Sequence, residues 1–271
     1  MRAHPEITRA LVTGASAGLG EEYALQLAPR VRKLVLVARR EDRLDRLADL
    51  LREHHPHCAV ATMAADLSRR SQREALVSAL EESDFEPDLL VNNAGLGDYG
   101  EVVTANWERL EAMMRVNIEA LTHLTHALVP GMVRRGHGAV MNVSSLASLM
   151  PLPDATVYAA TKAYVTSFSE GLRAELRGHG IPVLAVCPGP VKTEFGEVAR
   201  RSPDDPGMPS PEWFRVPPEQ VVAESLAALA RDRARVYPGL KTAVAAALIT
   251  AVPLFILRRL LATRPRASRG D

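Results

Sequence analysis

Thr13-Gly14-Ala15-Ser16-Ala17-Gly18-Leu19-Gly20 follows the short apolar run Ala10–Thr13 and opens a segment of helical period that extends to about Pro29. Strand, glycine turn and helix in that order let backbone amides approach a pyrophosphate, whose charge the helix N-terminus then favours. Gly14, Ser16, Gly18, Leu19 and Gly20 are therefore candidate cofactor-binding residues. The spacing is G-x-x-x-G-x-G, and such a turn can also be a plain connection. The flanking strand and helix are what favour the cofactor reading.

Beyond this turn, short apolar runs alternate with longer segments of helical period. Leu34–Ala38 reads as a second strand, followed by a charged helix over Glu41–Glu53. Ala59–Ala64 reads as a third strand, with a helix over Ser71–Glu82. Leu89–Asn92 and Ala139–Val143 are further buried strands, separated by a long helix around Trp107–Arg134. Thr156–Arg177 reads as a helix, Pro182–Cys187 as a strand, Glu219–Arg231 as a helix and Arg235–Tyr237 as a short last strand. This alternation predicts an α/β fold: a Rossmann-type, doubly wound parallel sheet in three layers, helix, sheet and helix. The proline-rich stretch Ser202–Pro218 cannot be a regular helix and reads as a long loop or lid. Residues 1–240 are expected to form one nucleotide-binding domain with a lid over 194–218, and 241–271 an apolar and then basic extension.

Composition narrows the function classes. The 271 residues are 47% hydrophobic and carry a net charge of +1, which excludes general disorder and gives no argument for nucleic-acid binding. Cys58 and Cys187 are too few for a disulfide framework or a metal cluster and read as buried small hydrophobes, so no metal is expected. Met1–Thr8 lacks the apolar core of a secretory signal, which points to the cytoplasm.

The end of the second strand decides the form of dinucleotide. An acidic residue there would accept from a ribose 2′-hydroxyl and repel a 2′-phosphate. This chain has Ala38 followed by Arg39 and Arg40, and arginine's planar fork of donors pairs well with phosphate. NADP(H) is therefore preferred over NAD(H), with solvated surface charge as the plainer reading of the two arginines. Ser16 could add a hydroxyl contact, and Asp66 an adenine contact or a helix cap.

Tyr158 and Lys162 lie four residues apart on a predicted helix, so they share one face about a turn apart. A phenol ionises near pH 10, and a neighbouring ammonium favours the phenolate. The pair can thus give a proton to a carbonyl oxygen and take it back. On its own the pair is also what a packed tyrosine beside a lysine would look like. Ser144 and Ser145 follow one strand, and Asn92-Asn93-Ala94-Gly95 closes another, at the sheet edge where ligands bind.

Together these residues resemble the short-chain dehydrogenase/reductase family. The matching pieces are Thr13–Gly20, Asn92–Gly95, Asn117, Ser145, Tyr158-Ala159-Ala160-Thr161-Lys162 and Pro188-Gly189-Pro190-Val191-Lys192-Thr193, over about residues 8–195. The resemblance implies that Tyr158 is the catalytic acid and base. Lys162 would bind the nicotinamide ribose and lower the tyrosine pKa, and Ser145 would hydrogen-bond the substrate oxygen. It further implies that Asn117 holds a water linking Lys162 to solvent. Thr193 and the Val191 amide would anchor the nicotinamide carboxamide, with Pro188 and Gly189 shaping the turn. Asn92, Ala94 and Gly95 would support the adenosine side. Many NADPH-dependent relatives carry a basic residue where this chain has Ala17, which leaves Arg39 and Arg40 as the main phosphate partners. A homodimer or homotetramer is also implied.

The segment after Thr193 is expected to close over the substrate. Phe195, Trp213 and Phe214, with Leu96, Met150 and Leu152, suggest an apolar pocket for a hydrophobic ketone, aldehyde or secondary alcohol. A sensor or scaffold that binds NADP(H) without chemistry is the competing class, and the intact Ser145, Tyr158 and Lys162 argue against it. The apolar run Ala243–Leu257, interrupted by Pro253 and followed by Arg258 and Arg259, is shorter than the roughly 20 residues of a bilayer span. A packed or subunit-interface helix, a peripheral membrane contact through 243–262, and a true span are the three readings. Arg264, Arg266 and Arg269 would suit anionic headgroups.

Overall fold

Alternate residues of each strand serve opposite faces of the sheet, and the chain fills both faces with aliphatic side chains. In the computed structural model, which describes residues 7–202, 205, 207–208 and 211–262, seven parallel strands form one sheet in the order β3-β2-β1-β4-β5-β6-β7. The strands are β1 Arg9–Thr13, β2 Lys33–Ala38, β3 Ala59–Ala64, β4 Leu89–Asn92, β5 Ala139–Val143, β6 Val183–Val186 and β7 Arg235–Val236.

On one face, Ala10, Val12, Leu34, Leu36 and Met141 join a core closed by α1 (Gly18–Leu27), α2 (Glu41–His54) and α8 (Pro218–Ala230). On the other, Leu11, Val35, Val37, Leu90 and Val140 join α3 (Arg70–Glu82), α5 (Leu121–Arg135) and α6 (Thr156–Leu176). This is the doubly wound three-layer architecture expected from the alternation. The strand order reverses between β1 and β4, and the crevice at their carboxyl ends is where such sheets place a ligand.

Three segments differ from the sequence expectation. The helix expected over Trp107–Arg134 is α4 (Trp107–Met114), a π-helical turn Arg115–Ala120 that carries Asn117, and then α5. The hydrophobic period continues across the widened turn, which is why it reads as one helix. The loop after β6 contains α7 (Phe195–Ala199) and a single turn Glu212–Phe214. It leaves at Thr193 and returns where Val216 bridges in parallel to Val191, so the described residues between 194 and 215 form a strap across the sheet edge. Pro203, Asp204, Pro206 and Pro209 lie outside the described residues. The apolar tail is two helices, α9 (Leu240–Ala251) and α10 (Leu254–Ala262). The break falls at Val252–Pro253, because proline lacks an amide proton and holds the preceding residue extended.

Candidate active site

The carboxyl ends of β1 and β4 are tied together before any ligand is considered. Thr13 Oγ1 accepts from the amides of Asn93 and Ala94, both at 3.0 Å, and Asn93 Nδ2 donates to Thr13 O at 2.9 Å. The glycine turn then folds tightly on itself. Gly14 takes a φ of +67°, and a Cβ on Gly20 would stand 2.1 Å from Gly14 O, so the turn closes only without side chains. The cap residue of α1 is Ala17, whose side chain offers no acceptor, and the first amides of the helix have no side-chain cap. Thr193 closes over this point, 3.1 Å from where a Cβ on Gly18 would lie.

A cavity of about 690 Å³ runs from this turn along the sheet edge. All the predicted site residues line it except Gly20, Asn92, Asn117 and Trp213. Gly20 shapes the turn from behind. Asn92 faces into the sheet: it is buried, and its Nδ2 donates to Thr125 Oγ1 at 3.0 Å and to Asn142 Oδ1 at 2.9 Å. The neighbouring Asn93 meets the glycine turn instead, because alternate residues point to opposite sides.

At the far end, Arg39, Arg40 and Ser16 line the cavity below Ala38. Arg40 Nε donates to Ser16 Oγ at 3.3 Å, and among the described residues Arg39 makes no side-chain hydrogen bond. Asp66 also lines this end. Burial raises its carboxyl, but hydrogen bonds from Ser68 and the fields of Arg39 and Arg69 outweigh that and hold it below the ordinary range. Its carboxylate accepts from the Ser68 amide and hydroxyl, at 3.0 and 2.7 Å, while the cap position of α3 is Arg69. A phosphate-bearing dinucleotide fits this donor set: uncapped helix amides at one point and guanidinium groups at the next.

The centre of the cavity holds Ser145, Tyr158 and Lys162. Lys162 is buried, and its Nζ donates to Val143 O at 2.8 Å and lies 5.9 Å from the Tyr158 ring centroid. Burial pulls the ammonium down to about 8. The balance at Tyr158 is opposite to the sequence expectation. Burial, with Tyr99 nearby, pushes the phenol well above its usual value, and only a hydrogen bond with Ser145 works the other way. Burial of the hydroxyl outweighs the one hydrogen bond that favours the phenolate. Ser144 turns away from the cavity centre, its Oγ donating to Lys162 O at 2.8 Å and pairing with Thr166.

Asn117 is reached from the π-helical turn. Its Oδ1 accepts from the Leu96 amide at 2.8 Å, and its Nδ2 donates to Leu96 O and Thr161 Oγ1, both at 2.9 Å. Gly95 separates it from Lys162: a Cβ there would sit 3.3 Å from Lys162 Nζ and 3.4 Å from Asn117 Oδ1.

The roof is largely apolar: Leu96, Met150, Leu152, Phe195 and Phe214 line the cavity, beside the charged Glu197, Arg200 and Arg215. Tyr99, Val116 and Met208 line it too, and sequence reasoning missed them. The structure corrects the placement of Trp213. That ring is 67% exposed outside the cavity, 5.5 Å below Lys241 Nζ, while adjacent Phe214 turns inward against Gly189. Arg201 is engaged by buried Asp98 at 2.5 Å.

Residues 8–204 match the short chain dehydrogenase family. The chain belongs to that family. It is 34% identical over 209 residues to the very-long-chain 3-oxoacyl-CoA reductase of Homo sapiens, a match covering 76% of this chain and 65% of that protein. The chain therefore spans a little under two thirds of that relative's length. Two solved structures match nearly end to end. The short-chain dehydrogenase from Sphingobium yanoikuyae in complex with NADPH has a TM-score of 0.80 at 34% identity, over 98% of this chain and 99% of its own. The bulky-bulky ketone specific alcohol dehydrogenase from Comamonas testosteroni has a TM-score of 0.76 at 30% identity, over 98% of each chain.

Proposed function

We propose that this short-chain dehydrogenase is an NADP(H)-dependent oxidoreductase that reduces a ketone or aldehyde on a hydrophobic body to the alcohol, and can run in reverse. The observation that carries the reading is Tyr158 beside Lys162 and Ser145 where the glycine turn meets an apolar roof. The bound cofactor supplies the hydride.

Ser145 and Tyr158 hydrogen-bond the substrate carbonyl oxygen, and Tyr158 gives its proton to the forming alkoxide. A phenol held protonated by burial keeps that proton until a stronger base develops beside it, which suits reduction. Lys162, near 8, exchanges protons close to neutrality and holds the nicotinamide ribose. Asn117 Oδ1 retains one lone pair for a water directed at Lys162 through the gap at Gly95. Gly14, Ser16, Gly18, Leu19 and Gly20 hold the pyrophosphate side. Asp66, Ala94 and Gly95 hold the adenosine side. The turn from Pro188 and Gly189 through Val191 to Thr193 holds the nicotinamide. Arg39 and Arg40 favour the 2′-phosphate over NAD(H), in keeping with the NADPH held by the Sphingobium structure. The apolar roof suits a long acyl chain or a bulky ketone, the substrate types named for the relatives.

Tyr158→Phe should lower turnover by about 10³-fold, within the range of general acid catalysis, with NADPH affinity unchanged within about twofold. A ketone panel followed by NADPH and NADH absorbance in parallel checks this. A wild type that binds NADPH and reduces nothing on the panel gives way to the sensor or scaffold reading.

A second reading concerns where the reaction takes place. Leu240, Val244 and Leu248 repeat every four residues along α9 and are each half or more exposed, and Phe255 and Ile256 continue the apolar surface on α10. Thr242 and Ala246 on the opposite face pack onto the body, so the extension is half docked. Arg258 and Arg259 follow at the end of this surface. Among the described residues no helix is long and apolar enough to cross a membrane. We infer peripheral contact with an anionic lipid surface through α9 and α10; Arg264, Arg266 and Arg269 lie outside the described residues. Deleting 243–271 should abolish co-sedimentation with phosphatidylserine vesicles, and unchanged sedimentation refutes the contact.

A further inference from the structure

Glu194 follows Thr193 and is the residue from which α7 starts. Both of its carboxylate oxygens are engaged by arginines from a distant part of the chain. Oε2 accepts from Arg40 Nη1 at 3.0 Å, and Oε1 accepts from Arg43 Nη1 at 2.6 Å. Those arginines lie at the start of α2, just past β2, where a basic residue faces a ribose 2′-phosphate. Arg39, Arg40, Ser16 and Glu194 line the same end of the cavity. Hydrogen bonds from Arg43 and Arg40 hold the Glu194 carboxyl below its usual range, so it is an anion at neutral pH. A carboxylate thus stands beside Arg40 at the 2′-phosphate end and holds Arg43, which does not itself line the cavity, against the same point.

We propose that Glu194 is a specificity-determining residue that competes, as an internal anion, with the dinucleotide 2′-phosphate for Arg40 and Arg43. The proposal rests on the NADP(H) reading above. A phosphate carries more charge and three acceptor oxygens, and takes the arginines from a monocarboxylate. A 2′-hydroxyl carries no charge and leaves both ion pairs in place. Sequence reasoning passed over Arg43 because it lies three residues inside a helix otherwise read as solvated surface. The exchange also links the two ends of the cavity, since release of Glu194 unties the first residue of the roof from the cofactor end.

The three side chains are 37–48% exposed, so each ion pair is modest. The test is calorimetric binding of 2′,5′-ADP and 5′-AMP, which reads no turnover. Glu194→Gln should tighten 2′,5′-ADP by about three- to fivefold at low salt and change 5′-AMP by less than about twofold, with the gain lost at high salt. Arg43→Met should weaken 2′,5′-ADP by about threefold and leave 5′-AMP alone. Equal tightening of both ligands, or unchanged or weaker 2′,5′-ADP binding by Glu194→Gln, overturns the proposal, as does an unchanged value for Arg43→Met. If the wild type binds 5′-AMP but neither NADPH nor 2′,5′-ADP, the NADP(H) reading itself falls and takes this one with it.

Discussion

At the glycine turn the chain is held by close backbone packing and short hydrogen bonds, and at the substrate end by charge against charge. A Cβ on Gly14 would stand 2.8 Å from Ala94 Cα, and one on Gly20 only 2.1 Å from Gly14 O. The strap over the substrate end is fastened differently. Asp98, whose side chain is 2% exposed, accepts from Arg201 Nη2 at 2.5 Å and Arg109 Nε at 3.2 Å. Arg109 Nη2 then reaches the carbonyls of Val198 and Arg200 at 3.2 Å each, at the end of α7. A backbone cradle tolerates one geometry. A strap tied by long side chains can be retied, and it is the part of the site that a different substrate would ask to change.

The largest effect should come from Gly20→Ala. Its new methyl group would face a carbonyl oxygen 2.1 Å away that no rotamer change can move. Overpacking of this kind costs about 3 kcal/mol, so NADPH should bind at least about 100-fold more weakly by calorimetry. Affinity within fivefold of wild type would show that the cradle is as adaptable as the strap.

Asp98→Asn asks the converse. Both arginines lose their buried counterion, and we expect unfolding free energy to fall by about 2 kcal/mol, less than for a fully buried pair because Arg109 is 40% exposed. KM for a bulky ketone should rise about tenfold, with NADPH affinity unchanged within twofold, roughly the 1.4 kcal/mol that separates a tied from a loosened roof. Urea titration and steady-state kinetics together check it. A fall in NADPH affinity equal to the rise in KM would mean the two ends are one mechanical unit.

The same contrast explains what could be read in the sequence. The cradle depends on residues adjacent in the chain at fixed spacing, so Gly14, Gly18, Gly20, Tyr158 and Lys162 announce themselves. Strands β3, β4 and β5 have the expected bounds because each is a buried apolar run between breaks. The strap depends on pairs 103 and 154 residues apart, Asp98 with Arg201 and Arg40 with Glu194, and separation in sequence hides them. Asn92 and Asn93 illustrate a finer limit. Asn92 ends β4 and Asn93 follows it, but which one meets the glycine turn is set by the pleat, and the residue that does is Asn93. Likewise the π-helical turn at Asn117 keeps the apolar spacing of an ordinary helix, so nothing in the pattern marks where the helix widens to bring that amide onto Leu96. Burial, too, is a property of the fold: the Tyr158–Lys162 spacing predicts a lowered phenol, and the surrounding apolar roof reverses the sign.

The smallest effect should separate Trp213 from Phe214. Both are large aromatic residues on one turn, and sequence alone treats them alike. Phe214 reaches inward to 3.6 Å from the Cβ position of Gly189 and lines the cavity, whereas Trp213 stacks edge-on against Phe214 from outside, with ring centroids 5.5 Å apart. Lys241 Nζ donates to Trp213 O at 2.8 Å, so the backbone at 213 is held without help from the ring. Phe214→Ala removes apolar surface that a substrate would cover, and KM for a bulky ketone should rise about fivefold, near 1 kcal/mol, with little change in kcat. Trp213→Ala should leave KM within twofold, because the lost contact is a surface one with Lys241. A larger penalty from Trp213 than from Phe214 would mean that the strap closes further when substrate enters, carrying the outer ring inward. The substrate end would then be defined by a motion of residues 194–215 rather than by the side chains that line it at rest.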